Sequence, residues 1–259
     1  MSPFDWNITA LTDFLAEDIP EPKHIIEDLL KPEGRMVIYG PEGSHKSLLS
    51  IHLAHCIAAG ENWLGYNCTA SSVLLIQTEN SKANFQERLN QYYTLQEPTG
   101  RIHLSTTPPF NLDYWDGVGG AKSLQAEVHF FKPEVIIIDP FYQSISKDAG
   151  DTASVLTWQK NIDRVLKSSG SSLIVIAHGR KYPPDLDTPP LGTNELYGSS
   201  HQKNWYDSMI QVVKLEESLT SYYRRLHFAK HRDAKHKLRD IIIRYTDTLI
   251  PELVAEMPV

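Results

Sequence analysis

Cysteine is nearly missing from this sequence: Cys56 and Cys68 are the only two among 259 residues. Two thiols cannot staple a small secreted scaffold, and no His/Cys cluster accompanies them to hold a structural metal. A reducing cytosol is the natural setting. Long apolar runs are missing as well. No stretch of about 18 apolar residues exists, so no membrane span is expected. The opening Met1-Ser-Pro-Phe-Asp-Trp6 has neither a basic start nor an apolar segment, so it does not read as a signal peptide. An excess of positive charge is also lacking. Lys+Arg number 25 against 32 Asp+Glu, a net −7, which argues against a constitutive coat on nucleic acid. What is present is an ordinary globular composition, 41% hydrophobic. The length fits one large α/β domain or two small ones.

The charge is uneven. Arg224, Arg225, Lys230, Arg232, Lys235, Lys237, Arg239 and Arg244 crowd one segment, opposed only by Asp233 and Asp240. Eight minus two leaves +6 there and −13 elsewhere. Such a run reads either as a solvated strand face or as a surface that meets phosphate on a neighbour or a nucleic acid.

Apolar patterning sets the architecture. Strands are expected at 35–39, 72–77, 102–105, 134–138 and 171–177, with helices near 46–59, 81–95, 121–131 and 153–168. The continuous run Val135-Ile-Ile-Ile138 suits a strand buried on both faces. Strand alternating with helix predicts an α/β fold with a mostly parallel twisted sheet flanked by helices. Beyond residue 205 the pattern changes. Ser208–Leu215, Tyr222–Ala229 and Asp240–Tyr245 read as a C-terminal antiparallel meander closing one sheet edge. Residues 1–34 read as an N-terminal arm, 35–250 as the domain and 251–259 as a tail. The Pro-rich stretch Tyr182–Gly192 reads as a long mobile loop of the kind that often carries function.

The chemistry is concentrated after the first strand. Met36-Val-Ile-Tyr-Gly-Pro-Glu-Gly-Ser-His-Lys-Ser-Leu-Leu49 fits a strand, a phosphate-binding loop and a helix. Gly40, Lys46 and Ser47 satisfy G-x-x-x-x-G-K-[ST], except that His45 stands where the second glycine belongs. Curled backbone turns N–H groups toward phosphate oxygens, and the helix N-terminus adds partial positive charge. Gly40, Pro41, Glu42, Gly43, Ser44, His45, Lys46, Ser47 and Leu48 are therefore the expected nucleotide contacts. Lys46 would reach the β- and γ-phosphates, and Ser47 would bind Mg²⁺. A side chain at 45 is tolerable if it points away from the nucleotide.

Asp139 ends the apolar strand, where an acid can hold Mg²⁺ beside such a loop. Glu79 ends another apolar strand in Gln77-Thr-Glu-Asn80. Parallel neighbours end at one sheet edge, so Glu79 can converge with Asp139 and orient the attacking water. The competing reading of Glu79 is a cap for the helix that follows. His178 ends the strand Leu173–Ala177 at that edge and can sense the γ-phosphate; its competing reading is a satisfied loop histidine. Lys230 and Arg232, near the end of a later strand, would lie far from the domain's own site and would serve at a neighbour's.

Taken together, Gly40–Ser47, Thr78-Glu79, Ile136-Ile-Ile-Asp-Pro140, Ile174-Val-Ile-Ala-His178 and Phe228-Ala-Lys-His-Arg232 resemble the RecA-like ATPases. The resemblance is nearest to the plasmid RepA-like and DnaB-like hexameric helicase ATPases, including stand-alone phage and plasmid relatives, and covers roughly residues 20–246. It implies a RecA-like core that hydrolyses ATP with Mg²⁺ at a subunit interface of a homo-oligomeric ring, a hexamer. It implies Glu79 as the catalytic glutamate, Lys230 and Arg232 acting in trans, and His178 as the sensor. It also implies that segments 143–152 and 179–203 face a channel holding single-stranded DNA. Those segments carry few cations: Lys147, Arg180, Lys181 and Lys203. The resemblance thus points to a helicase or helicase-like motor of a mobile element. A strand-exchange filament and a regulatory ATP switch with a protein partner are the alternatives.

Overall fold

A computed structural model describes residues 8–106, 110–182, 189–217 and 221–254. The first strand, β1 (Arg35–Gly40), is followed by a loop and by α2 (Lys46–Ala59); a short exposed helix, α1 (Leu11–Ala16), precedes both. A small hairpin of β2 (Asn62–Trp63) and β3 (Tyr66–Asn67) leads to β4 (Val73–Gln77), α3 (Lys82–Tyr92) and β5 (Ile102–Ser105). Next come α4 (Ala121–Phe131), β6 (Val135–Asp139), α5 (Thr152–Ser169) and β7 (Ser172–His178). The chain ends in α6 (His201–Trp205), β8 (Ser208–Glu217), β9 (Tyr222–His231), β10 (Ile241–Tyr245) and β11 (Glu252–Val254).

Among the described residues the main sheet has nine strands in the order β11-β10-β9-β8-β1-β7-β6-β4-β5. From β8 to β5 every pairing is parallel, and from β8 to β11 every pairing is antiparallel. This is the expected α/β architecture with its C-terminal meander. The helices end where local chemistry ends them: α2 and α5 close on Gly60 and Gly170 at positive φ, the usual left-handed stop.

The central strands are buried on both faces, which their near-continuous apolar sequence foretold. Met36 and Ile38 face one core with Leu75, Ile137, Ile174 and the buried side of α2. Val37 and Tyr39 face the other with Ile76, Ile138, Val175 and the α5 residues Val155, Trp158 and Ile162. Successive side chains on a strand alternate faces, so one strand feeds two cores.

The chain termini differ from the expected arm and tail. Ile25, Ile26, Leu29 and Leu30 are buried in the first core. A tight turn pairs Ile26 with Leu30 and also with Cys68. Each such side chain gains roughly 1.5–3 kcal/mol from burial, so this part of the segment 1–34 packs with the domain. Residues 8–22 lie on the surface, and residues 1–7 lie outside the described ones. In the segment 251–259, Glu252–Val254 pairs with β10, because β10 would otherwise be a bare sheet edge. The expected Pro-rich loop falls largely on 183–188, outside the described residues.

Candidate functional site

The loop between β1 and α2 is shaped by close approach. Gly40 ends β1 in register with His178 of β7, and a Cβ at Gly40 would collide with the Val212 carbonyl of β8. Only glycine lets the three strands meet there. His45 adopts the left-handed conformation, φ 65° and ψ 25°, where an L-residue is disfavoured by roughly 1–2 kcal/mol. Its ring packs edge-on between Tyr222 and Tyr245, with centroids 5.0 Å away in both cases. The side chain that replaces the pattern's glycine is therefore turned toward the meander.

Lys46 opens α2 with its ammonium folded over the loop, donating to the Pro41 carbonyl (2.7 Å) and to Ser44 Oγ (3.3 Å). Burial pushes its pKa down to about 8, against the pull of Asp139 and Glu79 and with a further push from Lys214. It stays charged at neutral pH. Ser47 Oγ donates to Asp139 Oδ1 (3.3 Å), and Ser50 Oγ donates to Asp139 Oδ2 (3.0 Å). Asp139 is buried, and burial raises its pKa to about 6 despite those two hydrogen bonds.

Glu79 lies just past β4, which runs beside β6 with Gln77 opposite Asp139. The turn is pinned from both sides. Thr78 N–H donates to the Asp139 carbonyl (3.1 Å). The buried Gln77 amide, its oxygen toward the turn, accepts from the N–H groups of Glu79 (3.2 Å) and Asn80 (2.8 Å). The cap of α3 is Ser81, which accepts from Asn84 N–H (3.2 Å). Glu79 is thus not needed as a cap. Its exposed carboxylate borders a cleft of about 530 Å³ together with the loop 42–48, Asp139, His178, Arg88, Gln91 and Leu249. His178 is half-buried, its ring 5.1 Å from that of Tyr142. Burial, helped by Lys46, holds its pKa below the ordinary histidine value, so the ring is neutral at neutral pH.

Five of the expected residues (Lys46, Ser47, Glu79, Asp139 and His178) thus share one cleft. Lys230 and Arg232 are not brought to it. They lie at the opposite sheet edge, where His231 pairs with Ser208, itself opposite Met36 at the start of β1. Lys230 donates to the carbonyls of Lys203 (2.7 Å) and Tyr206 (2.6 Å). Arg232 pairs with Asp207 (3.0 Å) and donates to the Asn204 carbonyl (3.1 Å). Of the four loop cations, Arg180 and Lys181 are exposed, Lys147 stands 3.8 Å from Asp151 and Lys203 donates to Asn194.

The sequence reading missed several members of the neighbourhood. Ser50 had a usable signal, since it follows Ser47 by three residues and so shares its helix face. Lys214, Arg88 and Leu249 had none, because each arrives from a distant element, and Arg224 stands in the basic run, which gives no sign that it meets its own chain's loop.

The donor set fits a nucleotide with Mg²⁺. A hydroxyl and a carboxylate are hard oxygen ligands, and Mg²⁺ takes few ligands from protein, the rest coming from phosphate and water. Among the described residues no cluster of three or more His, Cys, Asp or Glu could cage a metal by itself.

Comparison with known proteins bears on the family and the fold. Residues 6–183 match the AAA domain family. No curated protein matches the chain. Many solved structures share its fold, and three of them illustrate the likeness. The ATPase domain of G40P has a TM-score of 0.61 at 11% identity, over 82% of this chain and 81% of that one. The flagellar accessory protein FlaH from Methanocaldococcus jannaschii gives 0.57 at 12% identity, over 87% and 91%. The KaiC-like protein PH0186 from Pyrococcus horikoshii OT3 gives 0.58 at 11% identity, over 89% and 93%. At such identities the likeness concerns fold, which is the RecA-like one. The family match spans more than half of the sequence, and the chain belongs to the AAA domain family of P-loop ATPases.

Proposed function

We propose that this chain hydrolyses ATP in the edge cleft and does so as one subunit of a homo-oligomeric ring, a hexamer, that moves on single-stranded DNA. The observation that carries the ATPase reading is the meeting of Lys46, Ser47, Asp139, Glu79 and His178 around one cleft. Loop N–H groups and Lys46 hold the phosphates. To do so, Lys46 exchanges its present bonds to Pro41 and Ser44 for phosphate oxygens. Ser47 and Asp139 would hold Mg²⁺, which would supply neutralisation of the phosphates' charge. Glu79 orients the attacking water and accepts its proton, a role worth about 10²–10⁴ in rate. His178, neutral and in the same cleft, responds to the γ-phosphate and passes the change to the segment after β7.

The ring and the DNA rest on the motif resemblance, with three supports. Lys230 and Arg232 sit at the edge opposite their own cleft, where a second subunit's site could meet them. The exposed apolar side chains Ile8, Leu11, Phe14, Leu15 and Ile19 give a second copy something to bury. Arg180 and Lys181 are exposed just beyond Gly179, the residue after His178. No helix among the described residues is long and apolar enough to cross a membrane, in keeping with a cytoplasmic role in mobile-element replication.

Two observations favour a second reading, a regulatory ATP switch. Lys230 and Arg232 are tied to their own chain, and cations are sparse along 143–152 and 179–203. ATP hydrolysis measured with and without single-stranded DNA separates the two. Stimulation supports the motor, and indifference to DNA together with intact hydrolysis supports the switch. Electron microscopy of the ATP-bound assembly separates a ring from a strand-exchange filament.

A further inference from the structure

The phosphate loop carries a side chain where its pattern calls for glycine, and the meander has a place for it. His45 meets Tyr222 and Tyr245 with interplanar angles of 81° and 84°. Those tyrosines are directly opposed across β9 and β10, so they present one shared face. Two residues along β9, on that face, Arg224 is fully buried. It donates to the Gly43 carbonyl (3.4 Å) and its guanidinium stands 5.8 Å from the Tyr222 ring. Its cross-strand neighbour on β8 is Lys214, whose ammonium lies 3.1 Å from where a Cβ on Gly43 would be. Gly43 and His45 are the two left-handed residues of the loop, at φ 69° and 65°. The meander therefore touches the loop at both of its unusual backbone positions.

We propose that this bracket sets the curl of the phosphate loop before nucleotide arrives, with Tyr222, Tyr245 and Arg224 as positioning residues and His45 as the side chain they grip. The inference rests on the loop being the ATP phosphate site. A left-handed non-glycine residue persists only where surrounding packing over-determines it, and the two ring contacts do that. A loop already in its binding shape loses less freedom when it binds. The bracket therefore acts on nucleotide affinity and not on bond cleavage. Its loss raises Kd and KM and leaves kcat nearly unchanged. One consequence runs against the motif. Glycine at position 45 relieves the backbone but deletes the ring, so the pattern's own residue is the poorer one here.

The test uses His45→Gly, His45→Asn, Tyr222→Ala and Tyr222→Phe in the full chain. Asn tolerates the left-handed backbone without offering a ring. Tyr222 is 37% exposed, so its truncation spares the core. Hydrogen exchange at the amides of 43–46 is read without nucleotide, and Kd, KM and kcat are read with ATP and Mg²⁺. The first three variants should exchange about tenfold faster at those amides and bind ATP about tenfold more weakly, with kcat within about twofold. Tyr222→Phe should match the unaltered chain. Unchanged loop exchange and unchanged Kd in Tyr222→Ala and His45→Asn would overturn the bracket, as would a fall in melting temperature with both quantities unmoved. If the unaltered chain binds no ATP, the site reading fails, and the exchange data still decide whether the meander orders the loop.

Discussion

Ser47 and Asp139, 92 residues apart in the chain, lie within 3.3 Å of one another, the hydroxyl donating to the carboxylate. The contact joins the helix that follows the phosphate loop to the end of a buried strand. It places two hard oxygen donors side by side at the floor of the cleft.

The pair's role can be read from the metal dependence of ATP binding. Asp139→Asn is nearly isosteric and keeps an oxygen to accept from a serine hydroxyl, but it removes the charge. ATP titrations with and without Mg²⁺ should differ by about tenfold or more for the unaltered chain, roughly 1.4 kcal/mol. They should coincide for Asp139→Asn. An equal metal effect in both proteins would remove Asp139 from the metal site.

Acid sensitivity should trace to a cluster on the buried side of α2. His52 lies against the Tyr92 hydroxyl (2.9 Å) and Cys56 Sγ (3.6 Å). Burial, with His55 adding to it, lowers its pKa from 6.5 to about 4. The unfolded chain then takes up the proton more readily than the folded one. Its contribution is complete above about pH 6.5 and is lost as pH falls toward about 4, a difference of roughly 3 kcal/mol. Urea unfolding at several pH values should show His52→Gln losing less stability over that window than the unaltered chain. Parallel curves for the two proteins would place the acid sensitivity elsewhere.

Arg180 and Lys181 provide the test of DNA contact. The double variant Arg180→Ala, Lys181→Ala should bind single-stranded DNA more weakly. The slope of log affinity against log salt should also flatten by about 0.7 for each phosphate contact removed. An unchanged affinity and slope would exclude this segment from the binding surface.

A shared site requires that subunits complement one another. In its own chain Arg232 makes a surface ion pair with Asp207. Such pairs are worth about 0–1 kcal/mol, so exchanging it for a neighbour's phosphate costs little. Arg232→Ala should still bind ATP yet hydrolyse it roughly 10³-fold more slowly or worse, as arginine fingers do. Glu79→Gln is impaired in the other half of the site. Mixing the two should restore part of the activity. No recovery despite demonstrated subunit exchange would confine Arg232 to its bonds with Asp207 and Asn204.

The sequence carried the layout of the sheet's parallel part, and the reason is physical. β1, β4, β6 and β7 are apolar on both faces because helices cover both, and that pattern survives in one dimension. Helix α2 was expected at 46–59 and spans Lys46–Ala59, since a phosphate loop fixes one end and Gly60 the other. The cleft residues were legible because parallel strands deliver their ends to one edge. The basic run was not. Its members divide among unlike settings: Arg224 is buried against the loop, Lys230 holds two carbonyls, Arg244 pairs with Glu252, and Lys235, Lys237 and Arg239 are exposed. Charge counting has no access to which strand face a residue occupies. The apolar spacing of Ile25, Ile26, Leu29 and Leu30 marks an amphipathic segment, but not that the domain's core covers it, because the covering residues lie in distant elements.

In the proposed reaction the cleft binds ATP through Lys46 and cleaves it through Glu79. The most direct measurement pairs ATP titration with a phosphate-release assay on Lys46→Ala and Glu79→Gln. Lys46→Ala removes the cation from the phosphates and should lose productive binding and turnover together. Glu79→Gln keeps size and hydrogen bonding but not basicity, so it should hold ATP with near-normal affinity and fail to release phosphate. Hydrolysis at the unaltered rate by either variant would exclude this cleft as the site of ATP cleavage.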